Sequence, residues 1–181
     1  MNLRIILILG ALSAFAPLAI DFYLPGFPAM ATAFATDEKH IQLTLAVYFG
    51  GLALGQLIYG PLADRFGRRG PLLSGVTLFT LASFACAFAQ TADGLVISRI
   101  VQGAFSAIMI PQVLSIIQVL FKPKERAAVF GLTGAISGLA AVAGPLVGGL
   151  LVSGDAFGLG WRSIFVINVP VGIVLLIAAF I

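Results

Sequence analysis

The chain has 181 residues, of which 60% are hydrophobic and only 9% charged, with a net charge of +3. A soluble domain carries roughly 25% charged residues, so this chain cannot cover a water-facing surface and lipid must be its solvent. The basic residues lie mainly in short loops, which excludes a nucleic-acid footprint, and the single Cys86 excludes an intrachain disulfide.

Crossing a bilayer takes about 20 largely apolar residues in a helix. Six runs meet that need, near 5–25, 41–63, 71–90, 94–120, 127–152 and 162–181. They predict an all-α membrane protein, a single six-helix transmembrane bundle over 1–181 with no soluble domain or linker. Arg4, Arg65, Arg68, Arg69, Lys122, Lys124 and Arg126 then share one side, Lys39 and Arg162 take the other, and Arg99 lies within a span. The positive-inside rule puts both termini and the loops at 64–69 and 122–126 in the cytoplasm, in a multi-pass protein of the inner (plasma) membrane. The last run is just long enough to cross and no polar tail follows, so the chain reads as cut at Ile181.

The first span opens like a signal peptide, with Arg4, an apolar stretch and Ala14-Phe15-Ala16. Its apolar run continues through Leu24, however, which is long enough to span. Asp21 near its outer end is the residue that needs a reason, because a carboxylate is costly where water is scarce. At about 1.5 Å of rise per residue, Asp21 lies about 6 Å below the outer boundary and Arg99 of the fourth span about 7–8 Å below it. The two opposite charges thus lie at similar depth. Desolvation and a nearby cation push a carboxylate's proton affinity in opposite directions, which suits a proton or cation site. In the second span, Gln56 either lines a cavity or bonds a neighbouring helix.

The loop GPLADRFGRRGPL, residues 60–72, is the most specific motif. Basic residues there serve as membrane anchors, but anchoring explains neither Asp64 nor the glycines. Gly60, Asp64, Arg65, Gly67, Arg68 and Arg69 resemble the G-x-x-x-D-R-x-G-R-R signature between the second and third spans of the major facilitator superfamily. The resemblance implies a cytoplasmic gating loop that latches two six-helix halves, with Glu125 and Arg126 of the next cytoplasmic loop joining its charge cluster.

In the fourth span, Arg99, Gln102, Gly103 and Ser106 share one helix face. An arginine within a span costs about 2.5 kcal/mol or more unless it snorkels, finds a partner or faces water. The run resembles the R-x-x-Q-G of the superfamily's drug:proton antiporters. In that family's fold the first and fourth helices both line the central cavity, which implies a meeting of Asp21 with Arg99 and proton or substrate coupling by Asp21, Arg99 and Gln102. In the fifth span, Gly131, Gly134, Gly138, Ala141, Pro145, Gly148 and Gly149 fall within about a third of the helix circumference at about 100° per residue. That predicts a smooth face for close helix contact. Gly131, Gly144, Pro145, Gly148 and Gly149 also resemble the antiporter motif of drug exporters, and Pro145 offers a bend point.

The stretch IDFYLPGFPAM, with Asp21, Tyr23, Leu24, Pro25 and Pro28, is similar to the Bcr/CflA branch of drug-resistance exporters. WRSIFVINVPVGI at 161–173 resembles the fourteen-span branch instead, so the subfamily stays open. Tyr23 is a further candidate cavity residue. Asn168 either faces the cavity or bonds a neighbouring helix.

Together the resemblances imply the N-terminal half of a proton-coupled exporter of hydrophobic or cationic small molecules, working by alternating access, with the C-terminal half absent. No metal cluster, nucleophile–base pair or phosphate loop is present in the sequence, so an enzyme is not expected. The energy source would be the proton gradient with no cofactor. The expected partners are a drug-like substrate, protons, the lipid bilayer and a second six-helix half, either the missing half or another subunit. The alternatives are an inactive fragment, a half-module that needs a partner bundle, and a sugar or metabolite efflux porter of the same superfamily.

Overall fold

A computed structural model describes residues 3–66 and 69–180, with side chains described outside 60–66 and Phe180. Its helices in chain order are α1 (Leu3–Asp21), α2 (Phe27–Ala33), α3 (Glu38–Phe66), α4 (Arg69–Ala87), α5 (Ala92–Leu120), α6 (Pro123–Ser153), α7 (Ser163–Val166) and α8 (Asn168–Phe180). Helices dominate because lipid offers no partner for a backbone N–H or C=O, so each segment must satisfy its own. Among the described residues six stretches are long and apolar enough to cross: Leu3–Ala33, Glu38–Tyr59, Arg69–Ala87, Ala92–Leu120, Pro123–Ser153 and Gly160–Ala179.

Span ends moved where prolines were read as stops. The first span does not end near Pro25. A short 3₁₀ turn at Leu24–Gly26 takes Pro25 in its opening positions, and α2 takes Pro28 in the same way. Proline lacks an N–H, and the first turn of a helix has no use for one, so these prolines restart the helix. Pro17, Pro111 and Pro145 sit inside α1, α5 and α6. The last span is broken between α7 and α8, where Pro170 cannot donate to the carbonyl of Val166. Ala14, Phe15 and Ala16 of the signal-like start are buried in the bundle at 5%, 1% and 2% exposure.

The helices pair mainly as α3 with α5, α4 with α5, α1 with α6 and α4 with α8. Glycine makes the pairing of α3 with α5 close. A Cβ on Gly51 or Gly103 would run into the opposing backbone at Ile100 or Tyr48, and one on Gly55 would lie 2.7 Å from the Ala104 carbonyl. In lipid such backbone proximity replaces the hydrophobic drive that water supplies elsewhere. Two apolar clusters fill the interior. One, with Ile6, Phe15, Phe79 and Ile117, lies toward the end carrying Arg4, Arg69 and Lys122. The other, with Tyr23, Met30, Ile41, Leu95 and Phe165, lies toward the opposite end.

Candidate functional site

The centre of the second cluster is a cation. Arg99 has no exposed surface, although burying an unpaired charge is among the most expensive things a fold can do. Its helix explains the placement. Arg99, Gln102, Gly103 and Ser106 are all buried on the face of α5 that their spacing predicted. Gly103 lets the α3 backbone come down at Tyr48. That approach brings the Tyr48 ring to 4.4 Å from Arg99 Cζ, while Tyr23 stands 4.3 Å and Phe165 5.8 Å away. Aromatic faces attract a guanidinium, more so when desolvated. Arg99 Nη1 also donates to Gln102 Oε1 at 2.7 Å, and the Cys86 thiol donates to the same oxygen at 3.7 Å. The Tyr23 hydroxyl is hydrogen-bonded to Thr44 of α3, whose own hydroxyl donates to the Ile41 carbonyl. Three helices and the turn after α1 thus converge on one charge.

Asp21 does not join them. Among the described residues His40 Nε2 lies 3.2 Å from Asp93 Oδ1, an ion pair when the imidazole is protonated, at the N-terminal ends of α3 and α5. The expected meeting of Asp21 with Arg99 is corrected, and the reason is angular. Successive helical residues turn by about 100°, so Tyr23, which reaches Arg99, points roughly opposite to Asp21. Asp21, partly buried, lies instead against α6, where a Cβ on Gly144 would collide with its own Cβ. Gly148 meets the backbone of Phe22 in the same way, its added Cβ lying 2.9 Å from Phe22 Cα. Depth was legible in the sequence, and direction was not.

The small-residue face of α6 also divides. Gly144 and Gly148 are buried against α1, whereas Gly131, Gly134 and Gly138 have nothing within 4 Å of an added Cβ. Pro145 is exposed, and the nearest atom to a Cβ on Gly149 is Pro25 Cβ at 3.9 Å. One edge of the predicted face packs, and the rest is uncovered.

Asn168 is buried and bonds a neighbouring helix: its Nδ2 donates to Ser83 Oγ at 2.9 Å, and Ser83 donates to the Phe165 carbonyl at 3.1 Å. Gln56 is exposed on α3, beside the buried Gly55. Gly60, Asp64 and Arg65 lie in the last turns of α3, and their side chains are outside the described residues, as are Gly67 and Arg68 entirely. Arg69 opens α4 and donates to the Ala179 carbonyl at 3.4 Å. Glu125 accepts from the Lys122 backbone N–H at 3.2 Å, capping α6. Arg126 donates to the carbonyls of Gln118 and Phe121 at 2.6 and 3.1 Å, tying off the C-terminus of α5. An apolar cavity of about 490 Å³ opens at this same end between Ile5, Leu12, Arg69 and Leu120, far along the bundle from Arg99. Sequence reasoning missed Tyr48, Thr44 and Phe165. The signal available was the i, i+4 pair Thr44 and Tyr48 on one face of the second span.

The pattern of the Major Facilitator Superfamily matches residues 9–181 of this fold. The chain belongs to the major facilitator superfamily. It is similar to a probable actinorhodin transporter of Streptomyces coelicolor, 40% identical over 152 residues that make up 84% of this chain and 26% of the relative. A chloramphenicol resistance protein of Pseudomonas aeruginosa is 34% identical over 161 residues, 88% of this chain and 38% of that protein. Among solved structures, a proton:xylose symporter superposes with a TM-score of 0.86 at 18% identity, over 98% of this chain and 44% of its own, which is a likeness of fold. This superfamily chain therefore spans well under two thirds of the relatives it matches. It is a multi-pass membrane protein whose relatives include drug-resistance exporters, and none of these is an enzyme.

Proposed function

We propose that the chain is one six-helix half of a proton-coupled exporter of hydrophobic small molecules, working by alternating access in the inner (plasma) membrane with its termini in the cytoplasm. The observation that carries the reading is the closure of α6 on α1 at Gly144 and Gly148. It puts Gly144 of the motif that resembles the antiporter run directly against Asp21, and Gly148 against Phe22. Proton exchange needs an acid whose surroundings differ between two conformations, and small residues at a helix contact let the opposing backbone come close to that acid. Asp21 is the proton site in this reading, and the caged Arg99 with Gln102 lies on the other side of the same segment. Resistance and export relatives support the direction of transport.

A second six-helix half is the proposed partner. Gly131, Gly134 and Gly138 leave a groove on α6 with nothing in it, and glycine in a helix weakens it without a packing return. Exposed Leu139, Val142, Leu146 and Leu150 flank that groove, and Leu54, Leu57 and Gln56 are exposed on α3. These faces suit a facing bundle.

The test uses everted membrane vesicles that hold the full polypeptide as its gene encodes it, energised to an acid interior and followed with a pH-sensitive dye. Adding chloramphenicol or ethidium is expected to release part of the gradient. A response equal to that of vesicles without the protein would defeat the proposal.

A further inference from the structure

We propose that the unpartnered edge of Arg99 is the binding site for the carboxylate of an acidic aromatic substrate. The inference rests on the exporter reading and adds acidic aromatic compounds to its substrate class. A guanidinium offers a two-pronged edge, Nε–H and Nη2–H side by side, whose spacing matches the two oxygens of a carboxylate. In this chain Nη1 is taken by Gln102. Nε and Nη2 are both buried with no partner, and so is Gln102 Nε2. All three are donors, and the site has no carboxylate of its own among the described residues. Tyr23 and Tyr48 approach the cation within cation–π range and supply no acceptor for that edge.

What is missing is therefore an acceptor with two coplanar oxygens. A water molecule would bring protons that need acceptors of their own. A cationic ligand would meet the like charge of the guanidinium. Ring surfaces of Tyr23, Tyr48 and Phe165 beside the cation suit the aromatic body of such an acid. In this conformation the edge is closed. The lids belong to different segments, Tyr23 to the turn after α1 and Tyr48 to α3, and the hydrogen bond from Tyr23 to Thr44 holds them together. Parting those segments would uncover the edge. Two sources could supply the carboxylate, a substrate or Asp21 itself. Asp21 is held on the α6 side against Gly144, so the substrate is the occupant we assign.

The chain's single tryptophan, Trp161, is a built-in reporter. Its ring packs on Phe165 at 6.2 Å between centroids, next to the cation. The full polypeptide in detergent micelles is titrated with benzoate, benzyl alcohol and benzyltrimethylammonium while Trp161 fluorescence is followed. Benzoate is expected to saturate at a concentration at least tenfold below benzyl alcohol, with no saturable change for the cation. Arg99→Lys keeps the charge and loses the two-pronged edge, so it should weaken benzoate at least tenfold. Equal responses to benzoate and benzyl alcohol in the unaltered protein would overturn the inference without any variant. So would an unchanged benzoate affinity in Arg99→Lys that retains its helical circular dichroism. Benzoate binding that emerges only in Asp21→Asn would give the edge to the chain's own acid and also overturn it. Gradient release in the vesicle experiment with no benzoate binding would sink this inference alone and leave the exporter standing.

Discussion

At the scale of single residues, Asn168 and Ser83 are settled by hydrogen bonds across helices, Arg99 keeps two donors unpaired, and no ion pair lies in the core among the described residues. Arg99 is held by rings and one amide oxygen. Asn168 and Ser83 form a relay that links α8, α4 and the end of α7. Hydrogen bonds between membrane helices are worth about 0.6 kcal/mol on average and up to about 1.7. Ser83→Ala should therefore cost about 1 kcal/mol or somewhat more, because Asn168 Nδ2 is left only with the Ile164 carbonyl at 3.5 Å. Reversible unfolding in mixed micelles measures the loss, and a cost below about 0.3 kcal/mol would show that water replaces the bond. The sequence spoke clearly about which residues are polar in the spans and at what depth. It was silent on azimuth, because the helical period sets Asp21 and Tyr23 on opposite sides of their own segment and does not say which side faces α5.

Among elements, glycine decides which helices touch. Gly103→Ala should force α3 and α5 apart at Tyr48 and loosen the ring over Arg99. Overpacking of this kind costs about 1–3 kcal/mol. Gly134→Ala meets open space and gains helix propensity of up to about 1 kcal/mol. Thermal unfolding of the chain in micelles should thus separate the two, with a lower midpoint for Gly103→Ala and an equal or higher one for Gly134→Ala. The same melting point for both would mean that the α3–α5 contact is not tight. Period alone placed Gly131, Gly144 and Gly148 together, because 100° steps fix a residue's angle on its own helix and nothing about where a neighbour stops. The break between α7 and α8 was legible in Pro170 only in hindsight, since prolines inside α1, α5 and α6 leave those helices continuous.

Across the whole molecule, the six apolar runs and the loop motif announced the architecture. Lipid requires each run to close its own hydrogen bonds, so hydropathy reads directly as topology. The pairing of α1 with α6 and of α3 with α5 is non-local and depends on packing that no periodicity encodes. That pairing matters most, because it seats Asp21 on Gly144 on one side and Tyr23 on Arg99 on the other. A shift of α6 along α1 would change the surroundings of the acid, which is how proton binding could bias a rocking motion. The most direct test compares Asp21→Asn with the unaltered full polypeptide in proteoliposomes, measuring efflux driven by a pH gradient and, separately, substrate counterflow without one. The account predicts that the pH-driven flux falls to the protein-free level while counterflow persists. A pH-driven flux that survives the substitution unchanged would contradict it.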